Sequence, residues 1–374
     1  MVLNITKAQL VRRNRRNILL TCILLLHALF SQAQIGGRHT YEFLNLTSEA
    51  RVAALGGDFL TFNDDDITLA LTNPSLISPG MHNNIGLNFV NYFAKINYGN
   101  AMYGRDFEKI GSFVASMQFV HYGDFDWAND AGTILGEFSS SEYALNIGWG
   151  RQLTPHFSIG ANWKFIYSNF QTQDNTFSYL QSATSFGMAV DVAGSYIHEE
   201  GMFVASLIVK NMGFQFSGYY TGNREPLPFE MQIGLSKGLK HLPLKFSFLY
   251  NHLEKWDLTY EDPANPSWEY DPLTGEVTEE SGVESFADNL MRHIVLGGEL
   301  TIAKIIDVRL GYNYGRRQEM KVQSKLSTVG FSWGVGIRIS NFSFSYSRSA
   351  YHLAGSPNFF TITTNLEGFS KKKS

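Results

Sequence analysis

The chain has 374 residues, a formal net charge of −4, 14% aromatic residues and a single cysteine. A net-acidic chain gives no electrostatic footprint for nucleic acid, and one cysteine allows no internal disulfide. Beyond residue 33 no run approaches the roughly 18 uninterrupted apolar residues that a spanning helix needs, which excludes a helical membrane protein.

The first 33 residues read as a secretory leader. Lys7, Arg12, Arg13, Arg15 and Arg16 precede an apolar run over residues 18–30, and Ser31-Gln32-Ala33 places small residues at −3 and −1 of a cut before Gln34. Removing it takes five of the 30 bases and none of the 34 acids, so the formal charge moves from −4 to −9. Cys22 lies inside the apolar run after Thr21, a poor neighbour for a lipidated cysteine, and leaves with the leader. The mature chain is then expected to be exported, with no thiol nucleophile and no thiolate metal site.

Residues 34–83 show no strict alternation. Arg51, Leu55, Gly56 and Gly57 come first, and the glycine pair marks a positive-φ turn or a close backbone approach. Asp64-Asp65-Asp66 then offers a cap for a short helix beginning near Ile67, which Asn73-Pro74 ends. The same three carboxylates admit a Ca²⁺-binding reading, of which capping is the stronger. A partly helical, glycine-punctuated piece of this size suits a hatch plugging a barrel lumen.

From residue 84 the pattern changes to a period of two. In 156–170, Phe157, Ile159, Ala161, Trp163, Phe165 and Tyr167 share one face while Ser158, Gly160, Asn162, Lys164 and Ser168 share the other. In 341–350, Phe342, Phe344 and Tyr346 oppose Ser343, Ser345 and Ser347. Strands are expected near 85–93, 95–104, 111–121, 140–152, 156–170, 183–197, 201–216, 228–239, 243–254, 291–303, 305–316, 325–340, 341–350 and 358–367. No soluble core absorbs so many aromatic faces, so the apolar phase is assigned to lipid and the polar phase to a lumen. The fold class is thus all-β, a transmembrane antiparallel barrel of about fourteen strands over residues 84–369, with an N-terminal hatch.

Connection lengths orient it. Links after the even-numbered strands from the fourth onward are short and those after the odd-numbered strands from the third onward are long, as expected of a meander with both termini in the periplasm; the link after the first strand is too short for this rule. The longest, residues 255–289, is acidic and should project outward. It reads either as a solvated cap or as a surface for a partner or divalent cation, with Trp256, Trp268, Tyr270, Glu279 and Glu280 as candidate contacts.

Ala50-Arg51, Ala54-Leu55-Gly56-Gly57, the aspartate triplet and Asn73-Pro74-Ser75 resemble the N-terminal signature of the PorV/PorQ barrels of the Bacteroidetes type IX secretion system. With Phe43-Leu44-Asn45-Leu46 upstream, the match is closest to PorQ, and FadL fatty-acid transporters are similar at greater distance. The resemblance implies an outer-membrane barrel with a hatch, acting in secretion and surface attachment of cargo beside other proteins of that machinery. The chain departs from many barrels in following Phe369 with Ser-Lys-Lys-Lys-Ser.

Catalytic motifs fail on context. Gly234-Leu235-Ser236-Lys237-Gly238 has the G-x-S-x-G spacing but leads from one strand to another instead of into a helix. His198-Glu199-Glu200-Gly201-Met202 lacks the second histidine of a zinc helix. No catalytic residue, metal or cofactor is expected. The polar-phase charges Lys164, Asp191, Lys245, Arg309 and Arg338 read as pore lining or, better, as a clamp on the hatch, because unpaired charges away from bulk water are costly. Three functions compete: anchorage of partner proteins through the outer loops; FadL-like transport of a hydrophobic molecule, for which Gly99, Gly160 and Gly187 would permit strand kinks; and a soluble β-rich exported enzyme, which would extract without detergent.

Overall fold

The computed structural model describes residues 39–57, 61–172, 183–198, 202–220, 222–259, 269–270, 277–278, 282–320, 328–351 and 355–370. The expected leader, and with it Cys22, lies outside them, as do Trp268, Glu279 and Glu280.

The strands are β1 Asn84–Asn91, β2 Asn97–Phe107, β3 Gly111–Ala128, β4 Ile134–Thr154, β5 Phe157–Thr172, β6 Ala183–His198, β7 Phe203–Ser217, β8 Glu230–Gly238, β9 Leu244–Tyr250, β10 Glu269–Tyr270, β11 Val277–Thr278, β12 Ile294–Ile302, β13 Ile306–Asn313, β14 Phe331–Ile339, β15 Phe342–Ser349 and β16 Asn358–Asn365. All except β10 and β11 form one closed antiparallel barrel of fourteen strands, sealed where Asn84 to Asn91 of β1 pair with Asn365 to Asn358 of β16. β10 and β11 pair only with each other, so Tyr270 stands opposite Val277 in a small ladder apart from the barrel. Closure pairs the strands around the whole ring, which is the condition for strands to stand in hydrocarbon.

The two phases face as the alternation predicts. Leu87, Phe89, Met117, Leu145, Trp163, Phe165, Phe246, Leu310, Trp333 and Phe344 are exposed on the outside, whereas Asn88, Asn100, Asn146, Asn162, Asp191, Gln232 and Glu299 are buried within. That is the reverse of a soluble protein, where ionised groups are seldom fully buried.

Several boundaries differ from expectation. β3 runs on to Ala128 and β4 begins at Ile134, so most of the loop expected at 122–139 is a tall hairpin. A register shift between His121 and Asp124 explains the miss. One extra residue turns the following side chains to the opposite face. Phe125 and Phe138, stacked at 5.1 Å, thereby join Phe170 on the lumen side, while Asp124 and Asp126 stand on the outer side. Elsewhere, the start of β12 and the end of β13 fall short of the expected strands, because helices Gly282–Arg292 and Tyr314–Met320 occupy those positions, and β14 begins only at Phe331, after a turn.

Residues 39–57 and 61–83 pack inside the barrel. Tyr41, Phe43, Ala50 and Ala53 join Val90, Tyr98, Val120, Ala144, Ile166, Ala189 and Phe359 of the wall in one apolar cluster. A second cluster joins Ile67, Ala70, Ile77 and Met81 to Met102 and Val114.

Lumen-facing glycines provide the room for this segment. A methyl group on Gly160 would lie 2.1 Å from the Pro74 carbonyl oxygen, and one on Gly311 would lie 2.4 Å from the Gly56 nitrogen. Gly187 faces the ring of Tyr41. Gly160 and Gly187 therefore accommodate the N-terminal segment, and Gly99 fits against the Asn88 carbonyl of β1; Gly187 also sits at a register shift between β6 and β7.

Candidate lumen site and outer rim

Helix Ala50–Ala54 is short and ends on Gly56 and Gly57, at φ 117° and 87°. The Gly57 N–H donates to the Val52 carbonyl at 2.9 Å, and Thr47 Oγ1 donates to the Gly57 carbonyl at 2.6 Å, which fixes the turn. Leu55 packs with Val52, Phe62 and Leu69 in a cluster internal to the segment.

This geometry presents Arg51, only 5% exposed, to carboxylates from two directions. Its Nε and Nη2 donate to Glu299 at 2.8 and 2.7 Å, Nη1 and Nη2 donate to Asp64 at 2.9 and 2.7 Å, and Nη1 also donates to Asp66 at 2.9 Å. All five guanidinium N–H groups are thus used, an arrangement only the planar fork of arginine can satisfy. The guanidinium carbon lies 5.0 Å from the centre of the Phe62 ring, and Lys245 Nζ lies 5.3 Å from it.

The network continues along the wall. Lys245 of β9 reaches Asp64 at 2.8 Å, Arg309 of β13 reaches Glu299 at 2.7 Å and Asp307 at 3.1 Å, and Arg338 of β14 reaches Asp307 at 2.6 Å. Four cations, Arg51, Lys245, Arg309 and Arg338, therefore meet four anions, Asp64, Asp66, Glu299 and Asp307. The group is charge-neutral, the condition under which ions tolerate a poorly hydrated site. It borders a cavity of about 540 Å³ that is also lined by Ser343, Ser345, Thr361 and Thr363.

The aspartate triplet is split by this arrangement. Asp66 caps the turn Ile67–Leu69 through a 3.0 Å bond from the Thr68 N–H, and Asp65 accepts from Ser78 Oγ at 2.5 Å. Burial works to raise the Asp64 carboxyl, but Arg51, with Lys245 behind it, outweighs that and holds it well below the usual carboxylate range. Among the described residues no group of three His, Cys, Asp or Glu is arranged around a metal position. Asn73 is fully buried, and Pro74 opens a new turn, Pro74–Leu76, instead of only closing one.

Lys164 and Asp191 form a separate pair on the opposite wall, at 2.8 Å. They meet the N-terminal segment only indirectly: Lys164 donates to Asn211 Oδ1 at 2.7 Å, and Asn211 Nδ2 donates to Asn45 Oδ1 at 2.8 Å. Asn211 has φ 57° and sits at a register shift between β6 and β7. A third contact lies at Glu49, which accepts from Ser48 and from Asn100 Nδ2; burial raises its pKa, while those bonds work against the rise. Glu299 and Asp307, both buried on the lumen side, were not among the candidate residues, since their height in the lumen depends on register.

The pairing of β7 with β8 stops at Lys210 and Glu230, so 211–217 is paired only toward β6. The proline-rich stretch before β8 covers this seam from within. Pro226 accepts from the Thr40 N–H at 2.9 Å, Pro228 accepts from Asn211 Nδ2 at 2.8 Å, and Leu227 is buried in the large apolar cluster.

At the long-loop end, Trp256 belongs to a packed base. His293, fully buried, places its two ring nitrogens against the carbonyl oxygens of Asn251 and Trp256, at 2.6 and 3.0 Å. Its ring lies parallel to Tyr250 at 4.6 Å and 5.7 Å from Trp256.

Comparison with solved structures agrees with the architecture. The toluene transporter TbuX of Ralstonia pickettii aligns with a TM-score of 0.50 at 11% identity, covering 86% of this chain and 99% of that one. The toluene transporter TodX of Pseudomonas putida gives 0.50 at 10% identity, covering 85% and 96%. At these identities the likeness is one of fold alone. No curated protein sequence matches the chain. The model of the type IX secretion system protein PorV matches residues 33–240, running from before the glycine turn through β8. More than half of the sequence is covered, and the chain belongs to the PorV family of type IX secretion system outer-membrane barrels.

Proposed function

We propose that this barrel is a non-enzymatic, PorQ-like component of the type IX machinery, holding partner proteins of the secretion and attachment complex through its outer loops. The N-terminal segment acts as a hatch, and the barrel is held in outer-membrane lipid by its exposed aromatics. PorQ in particular is supported by Phe43-Leu44-Asn45-Leu46, of which Phe43 is buried in the lumen cluster.

The observation that carries this reading is the neutral ion network. Arg51 ties the segment to the β12 wall through Glu299, and the opposite wall meets it at Asn45, so the lumen serves support better than passage. Function then falls on the outer loops. The test is affinity isolation of the tagged protein from outer membranes, with and without residues 260–281. That deletion removes Trp268, Tyr270, Glu279 and Glu280 and spares the packed base. Loss of the co-isolating protein from an assembled barrel is expected, and unchanged recovery would sink the loop assignment.

Transport of a hydrophobic molecule is the second reading, favoured by the likeness of fold to the toluene transporters and by the β7/β8 seam. Accumulation of an apolar solute that depends on the seam, in cells with normal partner recovery, would favour it instead.

A further inference from the structure

Helix Gly282–Arg292 is amphipathic and is seated with its polar side inward. Asp288 accepts from Tyr314 Oη at 2.7 Å and from Arg292 Nε at 2.6 Å, and the buried Asn289 accepts from the Leu258 N–H at 3.3 Å. The apolar side is turned out: Val283 is 79% exposed, Phe286 56% and Met291 38%. In water this orientation is upside down.

The exposed face continues the lipid-facing surface of the barrel. Phe286 lies 5.1 Å from Trp256, which stacks on His293, which stacks on Tyr250. Tyr250 is in the outward phase of β9, opposite Ile294 of β12 and Ile233 of β8. The helix runs through His293 directly into β12, so it sits at the rim, where tryptophan and tyrosine mark the edge of the hydrocarbon. Tyr312 and Phe331, 4.7 Å apart, stand in the same outward row on β13 and β14.

We propose that Gly282–Arg292 is an interfacial helix whose Val283–Phe286 face lies in the outer leaflet of the membrane. Continuity with the lipid belt selects lipid over a protein partner. The inward polar face is the counterpart, since it satisfies its hydrogen bonds against the loop base.

The test uses single-cysteine variants Val283→Cys, Phe286→Cys and Ser285→Cys, each with Cys22→Ser, and Lys255→Cys as an exposed reference. Each is labelled with a small fluorophore and reconstituted in phosphatidylcholine–phosphatidylglycerol vesicles, and the probe is quenched by nitroxide-bearing lipid or by aqueous iodide. Probes at 283 and 286 should be quenched by the lipid nitroxide and lose iodide quenching, while 255 does the reverse. Position 285, on the inward side, should be shielded from both and reports that the helix is folded. Iodide access at 283 and 286 equal to that at 255 overturns the proposal. Shielding that appears in native outer membranes but not in vesicles overturns it too, in favour of a protein on this face.

Discussion

Replacing Arg51 by methionine keeps most of the side-chain volume and removes every charged bond it makes. Asp66 then loses its cation, Asp64 keeps Lys245, and Glu299 keeps Arg309. Breaking a buried pair by removing one partner costs about 3–5 kcal/mol. The side chains of Asp64 and Asp66 retain 28% and 22% exposure and Glu299 keeps a partner, which places the effect at the lower end, about 3 kcal/mol. With about 1.4 kcal/mol per factor of ten, local opening of the N-terminal segment should rise by about 10². Hydrogen exchange reads this directly. The amides of Ala53, Leu55 and Gly57, bonded within the segment, should exchange faster by that factor, while the β3/β4 ladder should not change. Arg51→Lys should fall between, because one ammonium cannot reproduce the fork. Acceleration of less than about threefold in Arg51→Met would refute the clamp, since it would mean under ~1 kcal/mol of coupling.

Other outcomes follow from the same geometry. Gly160→Val, placing atoms on the Pro74 carbonyl, should displace residues 73–77 and raise their exchange while heat-modifiable migration persists; Gly194→Ala, whose nearest neighbour is 4.0 Å away, should be silent. Asp64 has its pKa depressed in the folded state, so its contribution is present above the unfolded carboxylate value and is lost as pH falls through the folded one. Protection of residues 47–57, corrected for intrinsic exchange, should therefore hold at neutral pH and fall in acid below the usual aspartate range, and Asp64→Asn should weaken that acid dependence. His293→Ala removes the ring that packs between Tyr250 and Trp256 and bonds at the loop base, at about 1–3 kcal/mol for the lost bond, and tryptic cleavage at Lys255 should accelerate with the barrel intact.

The strands were legible because lipid enforces a rule that sequence carries locally: outward positions are apolar and inward positions are polar or small. Phe342 to Ser349 shows it from residue identity alone. The rule lapses where the chain leaves the hydrocarbon. Past His121 the shifted register turns Phe125 inward, and the alternation no longer marks a wall strand. At Tyr314 alternation continues into a helix, because one turn of either structure can carry an aromatic there. The lumen site was half legible. Arg51, Asp64 and Asp66 lie in one motif, and Lys245, Arg309 and Arg338 lie in the polar phase. Glu299 escaped because phase gives the face of a strand and not its height, and its partner Arg51 is 248 positions away. Lys164 and Asp191 show the same limit, meeting each other and not the aspartate triplet.

The most direct test compares two lesions in one readout, recovery of the partner with the tagged barrel from outer membranes. Deletion of 260–281 should abolish recovery, whereas Arg51→Met, which loosens the lumen segment and leaves the outer loops in place, should preserve it. The opposite pattern, recovery surviving the deletion and lost with Arg51→Met, would place the function inside the barrel and contradict the account.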